Sequence, residues 1–180
     1  MIQLCRHAQS VSNAGARVEN PKDAPLSDLG TAHAHELAAR FDAAPDLIVV
    51  SDSLRTQLTV APLMEKFPGT KMEIWPVHEF YFIRNYRIKN TTTDERRAML
   101  MEYFAKNDPD FVDGPGCESF NQFVARIRDF LGRLDRSKNI LVISHGHFVN
   151  GVKMLVNNIP PSVENFGKLE YVEHVEMMEI

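Results

Sequence analysis

Two tetrads, Leu47-Ile48-Val49-Val50 and Ile140-Leu141-Val142-Ile143, contain no polar residue. Alternate side chains of a strand face opposite sides of its sheet. A tetrad apolar at every position therefore needs cover on both faces, which is the condition of a strand in a parallel sheet layered by helices. The intervening segments supply candidate helices. Ala34, Leu37, Ala38 and Phe41 recur at i, i+3, i+4 and i+7 behind Ser27, a plausible cap. Ser53 to about Phe67 reads as a second helix, with Pro62 expected to kink it or shift its axis. Phe120, Phe123, Val124, Ile127, Leu131 and Leu134 form one apolar stripe over about four turns. Ile2 to Cys5 and Met72 to Trp75 read as further strands, a helix resumes near Phe148, and the weak alternation from about Leu169 suggests a last strand.

Strand and helix in alternation predict an α/β fold: a three-layer sandwich with a mostly parallel central sheet flanked by helices. The expected organisation is a single domain, 1–180, in which 76–117 is an insertion or cap over the site. In that segment the pattern loosens. Phe80, Tyr81, Phe82 and Tyr86 mix with Arg84, Arg87 and Lys89, which favours packing and solvated charge over a specific pocket. Thr93-Asp94 can cap a short helix carrying Leu100, Tyr103 and Phe104.

A net charge of −4 excludes nucleic-acid or membrane binding driven by overall charge. No apolar run approaches the ~20 residues of a membrane helix, and no basic region precedes a long apolar run as in a signal peptide. A cytoplasmic location is expected. Cys5 and Cys117 form no Cys-x-x-Cys pair and are expected to be buried, reduced and inert.

Ligands of such sheets sit beyond the carboxyl ends of the strands. Three strands here end in polar residues: Arg6-His7, Ser51-Asp52-Ser53-Leu54-Arg55 and Ser144-His145-Gly146. Arg6 and Arg55 can each present a planar fork to phosphate oxygens. Asn13 can donate its amide, and Gly146 precedes a predicted helix, so backbone N–H groups there can face an anion. His145-Gly146-His147 is a His-x-His pair, but no carboxylate in that segment supports a metal site. His33 and His35, two apart on a helix, point to different faces and are expected on the surface. No metal or other cofactor is expected.

Six motifs in order resemble the histidine phosphatase superfamily, the phosphoglycerate-mutase-like proteins. They are Arg6-His7-Ala8-Gln9-Ser10-Val11-Ser12-Asn13, Pro25-Leu26-Ser27-Asp28-Leu29-Gly30, Ser51 to Thr59, Glu79 in Val77-His78-Glu79-Phe80, Gly116-Cys117-Glu118-Ser119, and Ser144-His145-Gly146. Ala8, Thr56 and His33 replace the Gly, Ala and Gln usual in the family. The resemblance implies a metal-independent phosphomonoesterase acting on a small phosphorylated substrate. His7 would attack phosphorus to form a phosphohistidine, Glu79 would protonate the leaving group, and Arg6, Arg55, Asn13, His145 and Gly146 would hold the phosphate. Glu73, Asp94 and Glu95 are rival carboxylates for the acid. A neutral His7 is expected, because two arginines and His145 disfavour its protonation, and its second ring nitrogen should donate to a carbonyl. Two other readings stay open: a phosphoglycerate or sugar-phosphate mutase, and a non-catalytic phospholigand-binding protein. Glu79 is followed by Phe80-Tyr81-Phe82-Ile83 rather than the Arg-x-Tyr-Gly of true mutases, which favours the phosphatase. Substrate identity and oligomeric state are not encoded in these motifs.

Overall fold

The computed structural model describes residues 1–180 and contains one five-stranded sheet. Its strands are β1 (Ile2–Arg6), β2 (Leu47–Val50), β3 (Met72–Ile74), β4 (Ile140–Ser144) and β5 (Met177–Glu179), in the order β3-β2-β4-β1-β5. All neighbours run parallel except β5, which is antiparallel to β1. The helices are α1 (Asp28–Ala39), α2 (Leu54–Lys66), α3 (Asn85–Ile88), α4 (Thr93–Ala105), α5 (Phe120–Arg133), α6 (Gly146–Val156) and α7 (Val163–Gly167).

The two apolar tetrads are covered on both sides, as their composition requires. Along β4, Ile140 and Val142 face one core with Phe120, Phe123, Ile127, Phe130 and Phe148. Leu141 and Ile143 face a second core with Leu37, Ala38, Val60 and Leu63. Helices α5 and α6 thus cover one face and α1 and α2 the other, giving three layers. No helix is long and apolar enough to cross a membrane.

The helix starts follow local chemistry. Ser27 caps α1 by accepting from the Gly30 N–H at 3.0 Å. Thr92 with Glu95, and Ser119 with Gln122, form reciprocal capping boxes at α4 and α5. Pro62 lies inside α2, which continues without a break to Lys66. Leu134 caps α5 rather than belonging to its last turn. The tail differs from expectation. Strand β5 is confined to Met177–Glu179, and the short α7 and α3 have no sequence periodicity to announce them.

The parallel register of β1 with β4 sets Arg6 opposite Ser144. It brings the ends of these two strands, and of β2 beside them, to one edge of the sheet. Residues 76–117 leave β3 at that same edge. Phe80 and Tyr103 are buried in the α5/α6 core, with rings 5.4 Å apart. Arg84 and Arg87 both pair with Asp113, so aromatic packing and ion pairs account for this stretch. Arg96 donates to Ser12 Oγ at 2.5 Å and to the Thr91 carbonyl at 2.8 Å, tying α4 to the loop after β1.

Gly30 allows α1 to meet that loop. A Cβ there would stand 1.8 Å from the Gln9 carbonyl oxygen, a backbone atom with nowhere to retreat. Gly30→Ala is therefore expected to destabilise the protein by about 1–3 kcal/mol, the usual cost of overpacking. Urea unfolding of the two proteins measures it, and unchanged stability would contradict this packing.

Candidate active site

Arg6, His7, Arg55 and His145 converge at the carboxyl edge of β1, β2 and β4. His7 is 3% exposed and His145 fully buried. His7 Nδ1 lies 2.7 Å from the Ala8 carbonyl oxygen, which can only accept, so Nδ1 carries the proton. The lone pair is then on Nε2, which accepts from Arg55 Nε at 3.0 Å. Burial, followed by the Arg55 and Arg6 charges, holds the His7 pKa well below 6.5. One ring nitrogen lies on a carbonyl as expected, but burial leads the two arginines in lowering the His7 pKa, and His174 rather than His145 is the histidine that adds to them.

His145 follows the same logic with its nitrogens exchanged. Arg55 Nη2 lies 2.8 Å from Nδ1, and since a guanidinium only donates, Nδ1 is the acceptor. Nε2 then donates to Ser51 Oγ at 2.8 Å. Ser51 Oγ is in turn 3.0 Å from Thr56 Oγ1. Thr56, an apparent departure at the sequence level, thus buttresses the serine that orients His145. Burial, then Arg55 and His7, keeps His145 neutral well below pH 6.5. Ala8 is likewise unstrained. It is not among the residues with positive φ, and its N–H donates to Thr59 Oγ1 at 3.0 Å.

The two arginines are held differently. Arg55 Nη1 donates to the Pro21 carbonyl at 2.6 Å, so every nitrogen of this fork has a protein partner. Burial lowers its pKa to about 10, which leaves it cationic at neutral pH. Arg6 Nη1 donates to the Val172 carbonyl at 2.5 Å, and Tyr171 covers the guanidinium with its ring centroid 4.3 Å away. Arg6 Nε is buried without a partner. An orphan cationic donor in a 2% exposed residue costs free energy unless an anion completes it. Gly146 is N1 of α6, and a Cβ on it would lie 3.6 Å from Arg6 Nε. The unpaired N–H groups of that helix start therefore border the same orphan donor.

Asn13 stands at the loop after β1, where its Oδ1 accepts from Ser10 N at 3.2 Å and Ser10 Oγ at 2.7 Å. That fixes the amide and leaves its NH₂ group available to donate. Glu79 reaches the start of α6, where its Oε1 accepts from the N–H of Phe80 at 3.0 Å and of His147 at 3.1 Å. His147 Nδ1 is 3.2 Å from the same oxygen, and the Glu79 side chain is 29% exposed. Burial pushes the Glu79 pKa up, but the His147 side chain, the Phe80 N–H and Arg55 outweigh it and bring it down to about 2. The rival Glu73 bonds Trp75 and Lys71 instead, and Glu95 caps α4 and pairs with Arg17.

Three residues near the site carried no sequence signal. Val172 serves through its carbonyl. Tyr171 lies over Arg6. His174 donates from Nδ1 to the His7 carbonyl at 2.9 Å, with the two rings 5.6 Å apart, and burial followed by Arg6 lowers its pKa to about 4. All three come from the segment before β5, 164 or more residues from Arg6 and His7, so no local pattern links them. Two sequence expectations need correction. His33 is half-buried, with a buried unpartnered Nδ1, because the first turns of α1 lie against the loop after β1. Cys117 is part-exposed rather than buried, because the turn at Gly114–Gly116 lifts it from the core. Burial nonetheless raises both thiols, Cys5 to about 12, which keeps them unreactive.

The whole architecture has close structural counterparts. A phosphoserine phosphatase from Entamoeba histolytica, solved with 3-phosphoglyceric acid, superposes with a TM-score of 0.75 at 18% identity, covering 98% of this chain and 87% of that one. A mycobacterial glucosyl-3-phosphoglycerate phosphatase superposes at 0.74 and 21% identity, covering 98% and 88%. An alpha-ribazole phosphatase from Shigella flexneri gives 0.75 and 21%, covering 98% and 87%. At these identities they share the fold with this chain. The sequence model for branch 1 of the histidine phosphatase superfamily matches residues 2–172, nearly the full length, and the chain belongs to that family.

Proposed function

We propose that the protein is a metal-independent phosphomonoesterase that works through a phosphohistidine on His7. The observation that supports this best is the fixed tautomer of His7. The Ala8 carbonyl accepts from Nδ1–H and leaves the Nε2 lone pair facing Arg55, while the neighbouring Arg6 has a buried unpaired Nε. A phosphate entering there displaces the Arg55–His7 contact and takes donors from Arg6, Arg55, Asn13, His145 and the start of α6. Donors held around that position would stabilise the charge that spreads over the phosphoryl oxygens in the transition state.

His7 Nε2 attacks phosphorus, the bond to the ester oxygen breaks, and Glu79 gives that oxygen a proton. A water then attacks the phosphohistidine and loses its proton to the Glu79 carboxylate, the N–P bond breaks, and phosphate leaves. Splitting one displacement into two lowers each barrier. Thr56 and Ala8, the motivations for a non-catalytic reading, have the structural roles described above, so neither favours it. Within the single domain, residues 76–117 act as an insertion or cap over the site and supply the acid. The family relatives named above are phosphatases of small phosphorylated compounds, consistent with a small phosphate ester as substrate.

In the free protein Glu79 is ionised above about pH 2, so the proton it donates has to arrive with the substrate. A phosphate ester with its second pKa near 6 brings one as the monoanion. On the acid side, His7 is neutral well below 6.5. The value of kcat/KM should therefore show no fall on going below pH 6.5 toward the acid side, level off below pH ~6, and drop about tenfold per unit above it. A pH–rate profile with a phosphate ester checks this, and a rise between pH 6 and 8 would contradict it. Hydrolysis of p-nitrophenyl phosphate in excess chelator should survive in the wild type and drop by at least about 10³-fold in His7→Ala. Equal rates in the two proteins would remove His7 as nucleophile. Alkaline denaturation of the wild type during turnover should trap a phosphoenzyme that survives base, is lost on treatment with acid, and is missing from His7→Ala.

A further inference from the structure

Glu79 sits on a loop, and a proton donor is useful only within hydrogen-bond reach of the departing oxygen. Successive carbonyls of that loop are each satisfied by a side chain. Arg126 Nη1 donates to the Pro76 carbonyl at 2.9 Å and the His78 carbonyl at 3.0 Å, and Nη2 to the Glu79 carbonyl at 3.3 Å. Ser144 Oγ, on the strand end beside His145, donates to the Val77 carbonyl at 2.6 Å. Glu118 holds the guanidinium from the far side, with Arg126 Nε 3.0 Å from Oε2 and Nη2 bonded to Oε1. Glu118 also exchanges two bonds with Tyr81. Its Oε1 accepts from the Tyr81 N–H at 3.1 Å, and its own N–H donates to the Tyr81 carbonyl at 3.0 Å.

We propose that the Arg126–Glu118 pair is a positioning clamp, which fixes the loop 76–81 so that the Glu79 carboxyl stays in register with the start of α6 and the leaving oxygen. Neither residue touches the reacting atoms. The pair is nearly buried, with side-chain exposures of 12% and 14%. Arg126 lies over the rings of Phe123 and Phe148, which set its height above the core. A planar fork that donates to three carbonyls and a carboxylate at once is beyond a lysine, whose three donors radiate from one point. A pair serving stability alone has no need to bond three carbonyls of the one loop that carries the acid. This gives Glu118, in the turn before α5, a role in proton transfer some distance from the phosphate.

The proposal rests on Glu79 as proton donor, and the test separates the two. It compares kcat/KM for p-nitrophenyl phosphate, whose leaving group departs without a proton, with kcat/KM for an alkyl phosphate, whose leaving group needs one. Wild type, Glu79→Gln, Glu118→Gln, Arg126→Gln and Arg126→Lys are measured as full chains. Glu79→Gln should lose about 10²-fold or more on the alkyl ester and roughly tenfold or less on the aryl ester. The clamp variants should show the same selectivity in weaker form, at least about tenfold greater loss on the alkyl ester, with competitive inhibition by inorganic phosphate unchanged. A selective Glu79→Gln beside clamp variants that lose both esters equally overturns the clamp and leaves the donor standing. Equal loss in Glu79→Gln itself overturns the donor, and the clamp with it. If Arg126→Gln does not fold, Arg126→Lys and Glu118→Gln carry the test, since the first cannot reach three carbonyls and a carboxylate at once and the second removes the charge that holds the guanidinium in place; no selective loss in either overturns the clamp.

Discussion

A guanidinium can donate hydrogen bonds but cannot accept them, and Arg55 applies that rule to two histidines at once. Its Nε faces His7 and its Nη2 faces His145. Each ring must therefore turn a lone pair toward it and send its own proton the other way. The protons go to groups able to take them, the Ala8 carbonyl and Ser51 Oγ. Without Arg55 the Ala8 carbonyl would still fix the His7 tautomer, but His145, whose other partner Ser51 Oγ can donate or accept, would lose the group that decides its own. The fold contributes by bringing three strand ends to one edge, and Arg55, at the start of α2, reads them together.

Much of this was legible in the amino-acid order. The tetrads 47–50 and 140–143 declare buried strands because no polar side chain interrupts them. The α5 stripe declares its helix by period, and Ser27 declares the start of α1 by capping chemistry. The strand-end motifs carry the site, because a sheet edge is where local sequence and three-dimensional position coincide. What escaped notice acts through atoms that every residue shares or through distant contacts. The carbonyls of Val172 and Pro21 leave no mark on side-chain pattern. His174 is recognisable only once β5 has paired with β1. Arg126 reads as one more charge on the exposed side of an amphipathic helix until the loop it holds is seen.

Aromatic packing explains why the segment 76–117 can be irregular and still hold Glu79. Phe80 stacks on Phe123 with ring centroids 4.5 Å apart, and Tyr103 meets Phe80 and Phe82 edge-on. Such contacts favour offset or perpendicular rings, and so fix orientation as well as burying area. Phe80 follows Glu79 directly in sequence and is anchored in the core. The neighbouring carboxyl therefore projects from a backbone that is fixed on one side by packing and on the other by hydrogen bonds.

The β1–β4 register has a consequence for the order in which the chain folds. Strand β1 has no partner near it in sequence. Its ladder is completed by β4 and by β5, more than a hundred residues later. Loop-closure entropy makes pairings of this span late and slow. Arg6 and His7 thus stay apart from Ser144 and His145 until most of the core has condensed. The cluster of Arg6, His7, Arg55 and His145 depends on that pairing, so a fragment that lacks β4 cannot assemble it.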